Sequence, residues 1–191
     1  MAILVLAMLL SIQPVTTDLY LPALPALTRS LGAQMAAAQL TLSGLLLAFG
    51  CSQMVWGPLS DRFGRAPLMK AALLGATLCA ALSALAPDFE WLIVSRAGVG
   101  ACIAALPATA MAYLGEEIAP EARGRVMGMY IAGNALGGMS GRLIVGVLID
   151  FVSWHTAMLV IGGLALVAAA VFWKILPESR NFRSRSLHPR S

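Results

Sequence analysis

Residues 57–67 read GPLSDRFGRAP, and this short polar stretch joins two long hydrophobic runs. Gly57 and Gly64 allow the chain to turn tightly at a helix end. Asp61 can form ion pairs with the arginines beside it, and such pairs can hold one side of a helical bundle closed. The stretch therefore predicts two helices that meet at a charged turn.

The sequence around this stretch is too apolar for a soluble domain. Its 191 residues are 59% hydrophobic and 12% charged, with a mean hydropathy of +0.82. This composition excludes a disordered tail, a disulfide-rich mini-protein and an ordinary soluble enzyme. Since one span needs about 20 apolar residues, the length accommodates about six. We predict an all-α integral membrane protein with spans at about 2–24, 36–58, 68–87, 91–113, 125–150 and 153–176, followed by a basic tail at 177–191.

The positions of the basic residues predict the orientation of these spans. Cytoplasmic loops carry an excess of Lys and Arg. The connectors and ends after the second, fourth and sixth spans contain ten: Arg62, Arg65, Lys70, Arg123, Arg125, Lys174, Arg180, Arg183, Arg185 and Arg190. The alternate connectors contain only Arg29. Both termini are therefore expected in the cytoplasm, and we interpret the tail as a solvated end rather than a dedicated anionic-lipid site.

Three charged residues stand out inside predicted spans, away from the span ends on the cytoplasmic side, where an ionisable group is costly and usually functional. Asp18 precedes Pro22 and Pro25, which disturb the helix hydrogen-bond ladder, and a carboxylate in such a setting can take up and release a proton. Its alternative role is to cap a frayed helix end. Arg96 stays protonated, so it can stabilise a neighbouring carboxylate such as Asp18, or else reach the outer interface by snorkelling.

The fifth predicted span carries the third charge, Arg142, near its middle. Asn134 and Gly138 lie eight and four residues earlier, roughly 80° and 40° around the helix. One broad face therefore combines an amide, a glycine and a guanidinium, and it can bind an anionic or hydrogen-bonding substrate group. The alternative is a structural ion pair of Arg142 with Asp150 or Asp18.

The stretch 57–67 resembles the loop 2–3 signature of the major facilitator superfamily. The matching residues are Gly57, Leu59, Asp61, Arg62, Gly64 and Arg65, while Ala66 replaces the usual basic residue. The resemblance implies a gating loop on the cytoplasmic side. It also implies that an acidic residue below the fourth helix, Glu117 or Glu121, pairs with Arg65.

Weaker matches follow in the order expected for that family. The segment DLYLP, residues 18–22, is similar to the first-helix signature of bicyclomycin-resistance-type drug:proton antiporters. RAGVG, residues 96–100, is similar to the fourth-helix signature. The antiporter pattern of the fifth helix is kept only in part, because Gly138 replaces a proline and Arg142 replaces the final glycine. The resemblance implies one six-helix half of a twelve-helix fold in the bacterial inner membrane.

The function that the residues and this resemblance together favour is proton-coupled efflux of drug-like or metabolite molecules, with Asp18 and Arg96 in proton coupling and Asn134 and Arg142 in substrate binding. Two alternatives stay open: proton-symport uptake of an anionic metabolite, and a truncated half that acts as an assembly partner. A complete pathway needs a second six-helix half or a homodimer. The sequence contains no metal-ligand cluster or nucleotide loop, so we expect neither an enzyme nor a cofactor.

Overall fold

The computed structural model describes residues 34–117, 120–148 and 151, with single positions between 24 and 32 and between 156 and 174. The first predicted span contributes only Leu24, so Asp18 lies outside the described residues, as does the tail at 177–191. Within the helices, the side chains of Glu117 and Arg142 also lie outside the description.

The described ranges form five helices: α1 (Met35–Phe63), α2 (Arg65–Ala84), α3 (Phe89–Ile103), α4 (Ala105–Glu117) and α5 (Pro120–Leu148). The described positions from 163 to 174 are helical as well, and the described part of the chain contains no strand. Among the described residues, three segments are long and apolar enough to cross a membrane, namely Ala36–Phe63, Arg65–Ala84 and Phe89–Ala112. The predicted all-α membrane class is therefore confirmed.

A single residue, Gly64, separates α1 from α2. Its φ of 95° and ψ of 149° belong to a backbone region that only glycine adopts readily. The two helices therefore extend into the polar stretch, beyond the predicted spans 36–58 and 68–87. Gly57 lies inside α1, so our expectation that both glycines form the turn was wrong for Gly57.

The predicted span 91–113 is interrupted at Ala104, between α3 and α4. Pro107 explains the interruption, because it has no N–H to donate to the carbonyl of Ile103 and its ring crowds that carbonyl. Ala104 keeps a right-handed helical backbone, and its N–H still bonds the Gly100 oxygen at 3.1 Å. The interruption is therefore a local distortion within one span.

The helix α3 lies at the centre of the described bundle and packs against both α1 and α2. It begins at the N-cap Asp88, whose carboxylate accepts a hydrogen bond from the Trp91 N–H at 2.8 Å, as expected for a helix start. The buried core contains Leu45, Met69, Leu73, Val99, Ile103 and Leu106, joined by Val126 of α5. Large apolar side chains also point outward, as Met54 does with 81% exposure. Such a surface fits lipid rather than water.

Candidate functional site

The helices α1 and α3 cross at their closest point where Gly100 meets Leu45. A carbon atom added at Gly100 would lie 2.1 Å from the Leu45 carbonyl oxygen, so the two backbones are in direct contact. Next to this point, the Trp56 Nε1–H of α1 donates to the Ala101 oxygen at 2.6 Å. Because carbonyls near a helix end lack regular helical donors, this side chain ties α1 to the end of α3.

Arg96 lies one turn before Gly100 on α3. Its side chain is buried, with 4% of the residue exposed, and Val99 beside it is fully buried. A guanidinium reaching for the membrane interface would be exposed, so this burial favours a charge held inside the bundle over the snorkelling alternative. The role of Arg96 in proton coupling stays a prediction.

Two serines fix α2 and α3 beside Arg96. The Ser83 hydroxyl donates to the Ser95 Oγ at 3.0 Å, and the Ser95 hydroxyl donates to the Leu92 oxygen at 3.1 Å. Both residues are buried. Each hydroxyl also has a carbonyl acceptor in its own helix, Cys79 for Ser83 at 2.9 Å and Leu92 for Ser95, so the two buried serines meet without an unpaired polar group. The pair therefore holds the rotation of α3 that carries Arg96 inward.

The charged turn at residues 60–65 is built around Arg65. Its guanidinium Nη1 donates to the Ser60 hydroxyl and lies 2.5 Å from the Asp61 carboxylate. Arg65 is 9% exposed, so its charge is matched by Asp61 in a largely enclosed place. Arg62 is exposed instead, with its guanidinium 5.4 Å from the centre of the Phe63 ring. The two arginines of the motif therefore occupy different environments.

The two acidic residues predicted to pair with Arg65 are described to different extents. Glu121 is exposed in the first turn of α5, and the side chain of Glu117 lies outside the described residues. The pairing of either residue with Arg65 stays a prediction.

The predicted substrate face on α5 contains an unusual acceptor. Asn134 is partly buried, and its Oδ1 is enclosed without a hydrogen-bond partner among the described residues. Gly138, one turn later, is buried, so this face of α5 points into the bundle there. A buried polar atom without a partner costs free energy, so this acceptor can take a hydrogen bond from a group outside the described residues. Arg142 is helical, but its side chain lies outside the description.

Sequence reasoning missed three contributors to this arrangement. Ser60 lies inside the motif, but its spacing from Arg65 gave no sign of a direct bond. Trp56 lies one residue before the quoted stretch. Gly100 ends the RAGVG segment. A glycine at this position was the one sign in the sequence that another backbone comes close to it.

Together, the fold and site define a helical membrane protein with an enclosed cation and a charged turn between two spans. A family model of the Major Facilitator Superfamily matches residues 4–190. The chain belongs to the Major Facilitator Superfamily, and the resemblance seen in residues 57–65 is confirmed, including its placement in the N-terminal half.

Two curated relatives show how this chain compares with longer proteins. The inner membrane transport protein YnfM of Escherichia coli K12 is 44% identical over 170 residues, which cover 89% of this chain and 41% of YnfM. A chloramphenicol resistance protein of Pseudomonas aeruginosa is 32% identical over 168 residues, covering 85% of this chain and 39% of the relative. Both are named for transport or resistance rather than for an enzyme activity. The chain spans about two fifths of the length of these relatives.

Solved structures show the same fold at low sequence identity. The peptide transporter POT with bound alafosfalin superposes with a TM-score of 0.84 at 16% identity, over 96% of this chain and 40% of that one. A bacterial homologue of the human lysosomal transporter Spinster, inward-facing and occupied, gives 0.80 at 16% identity, over 96% and 45%. These likenesses concern the fold alone.

Proposed function

We propose that the chain is one half of a proton-coupled exporter of small drug-like or metabolite molecules. The observation that carries the proposal is the burial of Arg96, which is 4% exposed within an otherwise apolar span. Charges enclosed in membrane spans are costly and mark ion or substrate pathways. The family membership and the similarity to a chloramphenicol resistance protein support export of small molecules.

The proton is carried by Asp18 in this proposal, with Arg96 as its electrostatic partner. Arginine keeps its proton at any physiological pH, so Arg96 cannot be the carrier itself. It attracts Asp18 while that carboxylate is charged and releases it when a proton neutralises the carboxylate. Proton uptake thereby shifts the balance between two arrangements of the bundle.

Substrate binding is assigned to the face of α5 that contains Asn134 and Arg142. The enclosed Oδ1 of Asn134 has no partner in the described part of the chain, so it can accept a hydrogen bond from a substrate N–H or O–H at little desolvation cost. Arg142 follows two turns later, about 12 Å along the helix axis. A substrate with a donor at one end and a polar or anionic group at the other fits this spacing.

The charged turn serves as the cytoplasmic latch of the same proposal. The Asp61 carboxylate and the Arg65 guanidinium are already paired across Gly64, and Glu117 or Glu121 would link the pair to the lower end of the fourth span. A second six-helix half, or a second copy of this chain, completes the pathway, since such transporters bind substrate between two halves. In this proposal the protein lies in a bacterial inner membrane, and both termini face the cytoplasm.

Transport by proteoliposomes tests this function. The chain is reconstituted alone and as a fusion to the part of YnfM that it does not match, and chloramphenicol uptake is measured with an imposed pH gradient. An exporter that exchanges protons for drug accumulates chloramphenicol in vesicles with an acidic interior. Symport would accumulate it with an acidic exterior, and no transport by either form would contradict the proposal in favour of a non-transporting assembly partner.

Two variants test whether Asp18 carries the proton. Asp18→Asn is expected to abolish gradient-driven accumulation and to keep exchange of labelled for unlabelled drug. Asp88→Asn is the matched control, because Asp88 caps α3 outside the span and Asn caps a helix about as well as Asp. Equal loss in both variants, or driven accumulation by Asp18→Asn, would remove Asp18 from the proposal.

A further inference from the structure

One lysine of the chain contacts a tryptophan that the other lysine directly follows in the sequence. The sequence contains only two lysines, Lys70 and Lys174, while its other basic residues are arginines. The Lys70 ammonium lies 5.5 Å from the centre of the Trp173 ring, a favourable cation–π distance. Lys174 is the next residue along the chain from Trp173. The two lysines, far apart in the chain, therefore both lie next to Trp173: Lys70 through its contact with the ring and Lys174 as the following residue.

The ring and Lys174 line a pocket of about 430 Å³ between α2 and the described helical positions that include 166, 170, 173 and 174. Its other walls are Leu74, Thr77, Leu166 and Ala170. The Thr77 hydroxyl donates to the Leu73 carbonyl at 2.8 Å, so it presents its methyl side to a hydrocarbon ligand without an unpaired donor. The pocket is therefore apolar inside and positively charged at its edge.

This pocket opens on the outside of the described bundle. Leu74 and Leu166 are 51% and 56% exposed, on a surface that fits lipid. Lys70 is only five residues from Arg65 at the charged turn, about 8 Å along α2. That distance puts its ammonium at the level of lipid headgroups, where tryptophan and lysine are both favoured.

We propose that the pocket binds one anionic phospholipid, with an acyl chain against Leu74 and Leu166 and the phosphate between Lys70 and Lys174. The apolar walls match hydrocarbon, and the two ammonium groups match a negatively charged headgroup. Basic pockets between spans at headgroup level bind anionic lipids in this way. Lysine suits the site because a flexible point charge follows a mobile phosphate without a fixed bidentate geometry. The site is separate from the proposed transport pathway and does not depend on it.

Fluorescence quenching by brominated lipids tests the site on the intact chain. The chain is reconstituted in phosphatidylcholine vesicles that contain increasing fractions of brominated phosphatidylglycerol or brominated phosphatidylcholine. The contribution of Trp173 is obtained by subtracting the quenching of a Trp173→Phe variant. We expect phosphatidylglycerol to quench Trp173 at a roughly ten-fold lower mole fraction, given two basic residues near the headgroup.

Two double variants make the result specific. Lys70→Gln with Lys174→Gln is expected to equalise the two lipids, while Arg123→Gln with Arg125→Gln removes two exposed charges elsewhere and keeps the preference. Near-ultraviolet circular dichroism verifies that each variant is folded. Equal quenching by both lipids in the unmodified chain, or the same loss in both double variants, would overturn the proposal. Absence of quenching by either lipid would overturn it too, by showing that protein covers this face.

Discussion

Gly100 of α3 packs directly on the backbone of Leu45 in α1, so closely that an added carbon would lie 2.1 Å from the Leu45 carbonyl oxygen. Four residues earlier on α3, Arg96 is buried. The contact therefore fixes the height and rotation at which α3 presents its charge. Because the obstacle is backbone rather than a flexible side chain, α3 must shift if Gly100 gains a side chain.

We predict that Gly100→Ala destabilises the bundle by about 1–3 kcal/mol, the usual cost of forcing an extra carbon into a packed core. The thermal unfolding midpoint in detergent measures the change. Gly50→Ala is the matched control, since Gly50 lies inside α1 with open space around it. There alanine is expected to stabilise the helix by up to about 1 kcal/mol. Equal midpoints for the two variants would contradict the close contact.

Replacing Gly64 tests the turn between α1 and α2. Its positive φ places it in a region where a side chain costs about 1–3 kcal/mol, so Gly64→Ala is expected to lower the unfolding midpoint. Gly57→Ala, seven residues earlier in the same motif, lies within a helix with nothing near the added carbon. It is expected to be neutral or stabilising, and a larger loss at Gly57 than at Gly64 would refute this description of the turn.

The two motif arginines should respond differently to loss of charge. Arg65→Gln leaves Asp61 and Ser60 without their buried partner, so we expect a loss of about 2 kcal/mol, reduced from the cost of a fully buried pair because Asp61 is partly exposed. Arg62→Gln is expected to cost below about 1 kcal/mol, since Arg62 is exposed. Chemical denaturation in mixed micelles measures both. Similar losses of stability in the two variants would show that Arg65 is no more enclosed than Arg62.

Replacing Asn134 distinguishes a role in substrate binding from a role in packing. Because its enclosed Oδ1 has no partner within the ranges that the structure describes, Asn134→Ala is expected to change stability by less than about 1 kcal/mol. Binding of chloramphenicol to the fusion with YnfM is expected to weaken roughly ten-fold, as for a lost buried hydrogen bond. Ser140→Ala, on an exposed residue of α5, should change neither. Unchanged binding with a large loss of stability would assign Asn134 to packing.

Local pattern predicted a large part of this molecule and failed where contacts depend on distant segments. The apolar runs located α1, α2 and the span formed by α3 and α4, because a bilayer requires a minimum apolar length. The rarity of charges in such runs identified Arg96. By contrast, the predicted extent of the turn at residues 57–67 was too long, because helical hydrogen bonds continue to Phe63 and resume at Arg65.

Contacts between helices were beyond the local pattern. Nothing near Gly100 specifies that Leu45 lies opposite, since pairing depends on how α1 and α3 rotate against each other. The same reasoning explains why the approach of Lys70 to Trp173 was missed. Asp18 could be chosen as a candidate proton carrier from its place in an apolar run, but that run does not specify which residue pairs with it.

The central claim is that the buried charge of Arg96 couples proton movement to export, and its most direct test is drug transport by Arg96→Gln in the fusion with YnfM. Accumulation driven by an acidic interior and gradient-free exchange are measured on the same proteoliposomes, with protein folding verified by the unfolding midpoint. We predict that the variant loses driven accumulation and keeps exchange within about ten-fold of the unmodified fusion. Driven accumulation at the unmodified level, or loss of both activities in a folded variant, would contradict the claim.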